Sequence, residues 1–549
     1  MGTVLSLALE EWSRAIGDAN VITEPTALSF GETATFKTIQ RILAIIQPGN
    51  REQVRECVRI ASQHGIPLYP VSTGKNWGYG SRVPPQDGCV LMRLHRLNRI
   101  LEINEELGYV TLEPGVTLQQ LYECLQDRKS ELLVPTTGSS PYTSILGNAV
   151  ERGVSAVGKD KNECICALEV VLPNGECIHT GFGRLPNAKA SSVYRWGVGP
   201  SLDGLFLQSS FGIVIQITIW LMRRRRQYAL VVFLLNQKSS LPRLLTSIRN
   251  LLRSGGFPEE CGGIHLVNNY KMLTYRRSYP WEEKERTVPL SKEMLRNLFP
   301  KGRREVGWYG AAVVSMPSSA LVRAYRRTIK ADLKGSTDSI YFFDNKLIRL
   351  LNFVSRIVGW LRRDDVQAIL EITQGPLFGV PRPGGNLRAV YWRKKSVPSS
   401  PDDYEPDRDR CGVLWLFIVL PFEPDMIEAA TKIIEKTSFS FGFEPVIEIH
   451  AMSHRSVLLG LAVFFDRDVE GEDERARQCH DQMFDIFVRE GHYPYRLGIQ
   501  HAEKLPPSID YYDQFLADLK LALDPNRILA PGRYEFGLDD AKRVEGARG

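Results

Sequence analysis

Two hydrophobic periodicities alternate along the first 224 residues of the chain. Ile42-Leu43-Ala44-Ile45-Ile46 is an unbroken apolar run of strand length, and Pro48-Gly49-Asn50 turns the chain after it. From there the spacing becomes helical. Val54, Cys57, Val58 and Ala61 share one face, and Asn50 is a residue type that caps a helix by accepting from an unpaired N–H. Residues 67–71 predict a second strand. Further strands are predicted at 89–94, 100–104, 108–114 and 168–172, with a helix over 117–126 entered from a Gly-Val-Thr turn. The β-rich run Gly212-Ile213-Val214-Ile215-Gln216-Ile217-Thr218-Ile219-Trp220, within 210–222, closes this part.

Arg223-Arg224-Arg225-Arg226 follows and reads as a solvated junction between domains, because nothing basic surrounds it. Residues 225–494 form a second α+β region with a Pro/Gly/charge-rich loop at 376–411. In the tail, 495–549, an amphipathic helix lies within 509–532 and stops at Asp524-Pro525-Asn526-Arg527. The longest apolar run, at 413–421, is about one buried strand long and far short of the roughly 18 residues of a membrane span.

Composition narrows the class. Across 549 residues, 43% are hydrophobic and 24% charged, which excludes a disordered, collagen-like or disulfide-scaffold chain. A net charge of +6 over this length is too dilute to argue for nucleic acid, and suits an anionic small molecule equally well. Nine cysteines spread from Cys57 to Cys479, and the close pair Cys164 and Cys166 fits no common zinc spacing. No metal site is expected, and a reducing cytoplasm is the default location. The start lacks the basic residues and long apolar run of a secretory signal; Met1-Gly2-Thr3-Val4-Leu5-Ser6 matches a myristoylation pattern that many unmodified proteins share. Cys479-His480 follows the polar stretch 472–477, which reads as a helix face.

Ser72-Thr73-Gly74-Lys75-Asn76-Trp77-Gly78-Tyr79-Gly80 is the densest chemical signal. Glycines after a strand let backbone approach a ligand closely, and successive amide N–H groups form an anion cradle. The loop is not a P-loop, since Asn76 follows the lysine, and it lacks the third glycine of a dinucleotide fingerprint. As bare composition it is equally a plain turn.

The run Pro70-Val71 through Gly80 resembles the FAD-pyrophosphate loop of the vanillyl-alcohol oxidase / para-cresol methylhydroxylase flavoproteins. Glu113-Pro114-Gly115-Val116-Thr117, Leu146-Gly147-Asn148-Ala149-Val150-Glu151-Arg152-Gly153-Val154, and Glu169-Val170-Val171-Leu172-Pro173-Asn174-Gly175-Glu176 resemble the same family in the same order. So do Gly199-Pro200-Ser201-Leu202-Asp203-Gly204-Leu205-Phe206 and Leu523-Asp524-Pro525-Asn526-Arg527-Ile528-Leu529-Ala530-Pro531-Gly532. The resemblance implies an α+β fold. Residues 1–224 and 495–549 would make a split FAD-binding domain of the para-cresol methylhydroxylase type, with an α+β substrate cap at 225–494 between them.

It also implies site residues. FAD contacts would fall on Ser72, Thr73, Gly74, Lys75, Asn76 and Trp77, on Gly147, Asn148 and Gly153, on Gly212, Ile213 and Val214, and on Asn526 and Arg533 of the tail. The family's phenol-activating trio falls on Tyr79, Tyr495 and Arg496. Asp160 matches the acid near flavin N5 once one residue is deleted; it is equally a solvated turn residue between Lys159 and Lys161. Leu414 or an apolar neighbour stands where many members carry the His or Tyr that bonds FAD, and the first histidine is His64, so a non-covalent FAD is expected. Of His450, His454, His492 and His501, the last is the best candidate for a substrate contact. The implied activity is oxidation of a para-substituted phenol by hydride transfer to flavin N5, with oxygen or a redox partner as acceptor, a homodimer as a possible assembly, and no nucleic acid or membrane involved. A non-phenolic alcohol, a natural-product intermediate, or ligand binding without turnover are the alternatives.

Overall fold

The computed structural model describes residues 2–155, 161–276, 279–281, 288–357, 375–383 and 385–536. Three sheets organise it. β1 (Val21–Ile22), β2 (Ile42–Ile46), β3 (Leu68–Val71) and β4 (Cys89–Arg93) form a four-stranded sheet in the order β1-β2-β4-β3, with β2, β4 and β3 mutually parallel. β5 (Ile100–Asn104), β6 (Tyr109–Leu112), β7 (Ile165–Val171), β8 (Cys177–His179) and β9 (Ile213–Trp220) form an antiparallel sheet in the order β5-β6-β9-β7-β8. The third sheet contains β10 (Gln227–Asn236), β11 (Ile264–Asn268), β12 (Val306–Met316), β13 (Ser339–Asp344), β14 (Cys411–Pro421), β15 (Val446–Ala451) and β16 (Ser456–Asp466). Its order is β13-β10-β12-β11-β15-β16-β14.

Local chemistry explains the boundaries. The Asn50 side chain accepts from Gln53 N at 3.0 Å and starts the helix Arg51–His64, whose Val54, Cys57, Val58 and Ala61 are fully buried against β2 and β4. Thr117 caps Leu118–Asp127 in the same way. The predicted strand at 108–114 narrows to β6, because Glu113 turns to take Arg99 N at 2.8 Å and Pro114 has no N–H to give. The tail helix spans Tyr512–Leu523. In the helix Glu472–Arg489, Cys479 and His480 lie on the buried side, not on the polar face their neighbours suggested. An unexpected first helix, Gly2–Ile16, lays Ala8, Trp12 and Ile16 on the helix Arg51–His64, with Trp12 Nε1 donating to Cys57 O at 3.1 Å.

The tail returns to the first sheet. Leu68 N donates to Ile528 O at 2.6 Å, Ala530 N donates to Leu68 O at 2.8 Å, and Ile528 and Leu529 enter the same core. Arg223, Arg224 and Arg226 are exposed, and Arg225 and Arg226 pair with Glu260 and Glu131. Among the described residues no helix is long and apolar enough to cross a membrane.

Candidate active site

Where β3 ends, the loop 72–80 opens onto a cleft enclosing about 1070 Å³, mouth included. Of the residues expected to contact FAD, Ser72, Thr73, Gly74, Lys75, Asn76, Gly147, Asn148, Gly212, Ile213, Val214 and Arg533 all line it. Among the described residues, nothing accepts a hydrogen bond from the backbone N–H of Thr73, Gly74, Lys75 or Asn76. Four free amides in a row at a cleft wall suit a pyrophosphate. Ser144 N donates to Thr73 Oγ1 at 3.1 Å, tying the loop to the N-cap of the short helix Ile145–Val150, which the sequence reading has as a turn. A Cβ on Gly147 would lie 2.3 Å from Ser72 Oγ, so any larger residue would have to displace that hydroxyl. The buried Asn148 Oδ1 has no hydrogen-bond partner among the described residues, which leaves it for a polar ligand edge. The donor set therefore fits FAD.

Three expected contacts are elsewhere. Trp77 packs into the core of the third sheet. Gly153 stands behind Asn148, where a Cβ would sit 2.3 Å from Asn148 Nδ2; it makes room for that side chain and does not line the cleft. Asn526 is exposed and donates its amide to Ser62 O at 3.1 Å, so it caps the helix Arg51–His64. The Lys75 ammonium is taken by Glu405. Asp160 lies outside the described residues. The sequence reading missed Glu151, which lines the cleft and binds Arg533 Nη2 at 2.8 Å and the Tyr534 hydroxyl at 3.0 Å. Its position four residues after the Gly147-Asn148 turn's first glycine was the available signal.

At one end of the cleft Tyr79, Tyr495 and Arg496 come together. Tyr79 N donates to Asn76 O at 3.1 Å, and Tyr79 O accepts from Ile499 N at 3.0 Å. Tyr495 N donates to Phe417 O on β14 at 3.2 Å. Loop, cap sheet and tail thus meet at one point. The Arg496 guanidinium carbon lies 3.7 Å from the Tyr79 ring centre and 5.6 Å from that of Tyr495. Burial raises the Tyr79 pKa above its ordinary value, although the Arg496 charge and the Tyr495 hydroxyl pull it down. Burial works against the Arg496 charge, yet Tyr495, Tyr79 and Glu151 outweigh it and hold the guanidinium firmly protonated. The buried Tyr79 hydroxyl has no partner in normal hydrogen-bond geometry among the described residues.

The histidines divide. His501 Nε2 lies 2.6 Å from Asp481 Oδ1, and its ring packs on His480 and Phe484, so it braces the fold and is not a substrate contact. His480, Asp481 and His501 are close enough for a metal, but Arg477 and Lys504 already hold the Asp481 carboxylate. His450 lies nearer the trio, its ring 5.7 Å from that of Phe417. Leu414 is fully buried in the opposite core from Trp415, whose ring rests on Gly78.

A family model described as FAD binding domain matches residues 42–181. The chain is 42% identical to 1'-carboxy-chondrochloren decarboxylase of Chondromyces crocatus, covering 97% of each. It is 26% identical to the flavoprotein subunit of the hydroxylating 4-cresol dehydrogenase of Pseudomonas putida, covering 97% of this chain and 96% of that one. Among solved structures, p-cresol methylhydroxylase with substrate bound superposes with a TM-score of 0.85 at 22% identity, over 98% of both chains. The 4-ethylphenol oxidase of Gulosibacter chungangensis, as its isoeugenol complex, gives 0.86 at 24% identity over 98% of both. The chain belongs to the p-cresol methylhydroxylase-type family of FAD-linked oxidoreductases. It is an FAD enzyme with the two-part α+β architecture of that family.

Proposed function

We propose that this enzyme oxidises a para-substituted phenol whose side chain bears a carboxylate, removing hydride from the carbon attached to the ring and releasing carbon dioxide. The observation that carries the reading is the half-buried Arg496 guanidinium stacked 3.7 Å from the centre of the Tyr79 ring, with Tyr495 adjoining. A free phenol ionises near pH 10, and a fixed guanidinium with two hydroxyl donors favours its phenolate at lower pH. The phenolate oxygen would give the Tyr79 hydroxyl a well-aligned acceptor beside Arg496 and Tyr495. FAD, when bound on the Thr73–Asn76 amides, supplies a two-electron oxidant. The phenolate pushes electron density to the para position, so the benzylic hydride leaves and a neutral quinone methide remains. The bonding pair of the side chain's carbon–carboxylate bond then becomes the new alkene, the ring oxygen recovers its negative charge beside Arg496, and carbon dioxide departs. Likeness to a decarboxylase over nearly the whole chain favours this ending over addition of water.

Anaerobic mixing of the FAD-loaded protein with 4-ethylphenol and with 3-(4-hydroxyphenyl)propanoate tests the reading. Both should bleach the yellow flavin, and the acid should give 4-vinylphenol and carbon dioxide. A spectral shift without bleaching supports ligand binding without turnover, and no response supports a non-phenolic substrate. A hydroxylated product that keeps its carboxylate refutes the decarboxylation. Because Leu414 offers no nucleophile, acid precipitation should leave the yellow colour in the supernatant.

A further inference from the structure

A second group of buried charges shares walls with the Tyr79–Tyr495–Arg496 trio. Lys271, on the helix Asn269–Arg276, is wholly buried, with its ammonium 4.5 Å from the ring centre of Trp415, 5.4 Å from that of Tyr275 and 5.8 Å from that of Phe464. Trp415 rests on Gly78, the residue before Tyr79: a Cβ there would lie 2.1 Å from Trp415 Cδ1. Two positions along the same strand, Phe417 presents its ring edge-on to Tyr495 at 6.1 Å. The carboxylate of Glu448 is close enough to bear on the Tyr79 hydroxyl. Lys271 and the trio therefore pack on neighbouring aromatic side chains of one strand, Trp415 and Phe417.

The pairing of Lys271 is incomplete. Glu448 Oε1 stands 3.7 Å from its Nζ, an ion pair beyond hydrogen-bond reach, and neither atom has a hydrogen-bond partner among the described residues. Structural lysines in this chain look different. Lys520, equally buried, has Asp524 at 2.8 Å and also donates to Ser210 O at 2.8 Å and Leu529 O at 2.9 Å. The Glu448 charge and three aromatic faces offset part of the cost of burying this ammonium, but its N–H groups lack the close oxygen acceptors that Lys520 has. One N–H can lean toward Glu448 while the others remain for a ligand oxygen. A carboxylate is the oxygen ligand that matches both the charge and the dry surroundings.

We infer that Lys271 binds the side-chain carboxylate of the substrate, while the trio holds its phenol. This rests on the phenol reading above and adds the recognition element that separates acidic from neutral phenols. Holding the carboxylate against aromatic walls keeps water off it, which favours the uncharged carbon dioxide as the leaving group.

The test uses full-length, FAD-loaded protein. Binding constants from flavin spectral perturbation, and anaerobic bleaching rates, are measured for 3-(4-hydroxyphenyl)propanoate and for 4-ethylphenol. In Lys271→Met the preference for the acid, expressed as the ratio of the two binding constants, should fall about 30-fold, the size of a charge-assisted hydrogen bond. Lys271→Arg should recover part of it. Because removing the ammonium strands Glu448, the double variant Lys271→Met/Glu448→Gln keeps the pocket neutral and should show the same loss of preference. An unchanged ratio in both Met variants overturns the inference and leaves the phenol reading standing. A wild-type protein indifferent to both phenols overturns the two together.

Discussion

Arg496 carries its charge in a place where burial opposes it, and only the surrounding tyrosines and Glu151 make that tolerable. Its planar fork, stacked on Tyr79, is not reproduced by a lysine point charge. Arg496→Lys should slow anaerobic flavin reduction by a para-alkylphenol about 10²–10³-fold at neutral pH, the usual size for a lost oxyanion donor. Part of that loss should return as the pH approaches 10, where the phenol ionises unaided; a deficit independent of pH would count against phenolate stabilisation. His265 and His480 act on stability instead. Burial lowers each to about 3, whereas in the unfolded chain each takes a proton near 6.5. Between those values the unfolded state holds more protons, so stability should fall as pH drops from about 6.5 toward 3, by up to about 1.4 kcal/mol per pH unit for each. Glu448, held down at about 2 by Lys271 and His450 despite its burial, adds a loss of the same sign below about 4. Melting temperature against pH checks this, and His480→Asn should flatten the slope.

The loop 72–80 and the short helix Ile145–Val150, a turn in the sequence reading, work as one element because Ser72 and Gly147 touch. Gly147→Ala drives a methyl into Ser72 Oγ and should push the free amides off register. FAD affinity, measured by titrating the apoprotein, is expected to drop at least about tenfold, with little change in far-ultraviolet circular dichroism. Elements of this kind were largely legible in the chain. β2 spans the same five residues the apolar run predicts, and Asn50 caps where its side-chain chemistry says it should. Gly2–Ile16 was not legible, because its stripe of Ala8, Trp12 and Ile16 gains meaning only against the helix Arg51–His64. Asn526 misled for a related reason: it lies in a motif that returns to the cleft, but its own side chain points to Ser62.

Across the whole molecule, the FAD loop is fastened to the third sheet's domain by charge. Arg82 Nη2 and Asp407 Oδ2 pair at 2.5 Å with both side chains buried, and Lys75 pairs with Glu405 two residues earlier. Arg82→Ala strands a buried carboxylate, which costs about 3–5 kcal/mol. It should lower the unfolding midpoint and speed FAD release; Arg82→Ala/Asp407→Ala should recover much of the stability. A single variant as stable as wild type in urea unfolding would show the bridge to be dispensable. Neither acid drew notice in the sequence, since they sit in the charged loop 376–411 among many others.

Local order settled the strands, the caps, the glycine loop and the family motifs, because periodicity, capping chemistry and close backbone approach are written in neighbouring residues. Folding in three dimensions decided the rest: that Tyr79 meets Tyr495 and Arg496, that Glu151 reaches Arg533, and that Lys271 is left with donors to spare. Those facts depend on which distant side chains share a dry space, and burial, which sets the cost of each charge, exists only once the chain has closed around them.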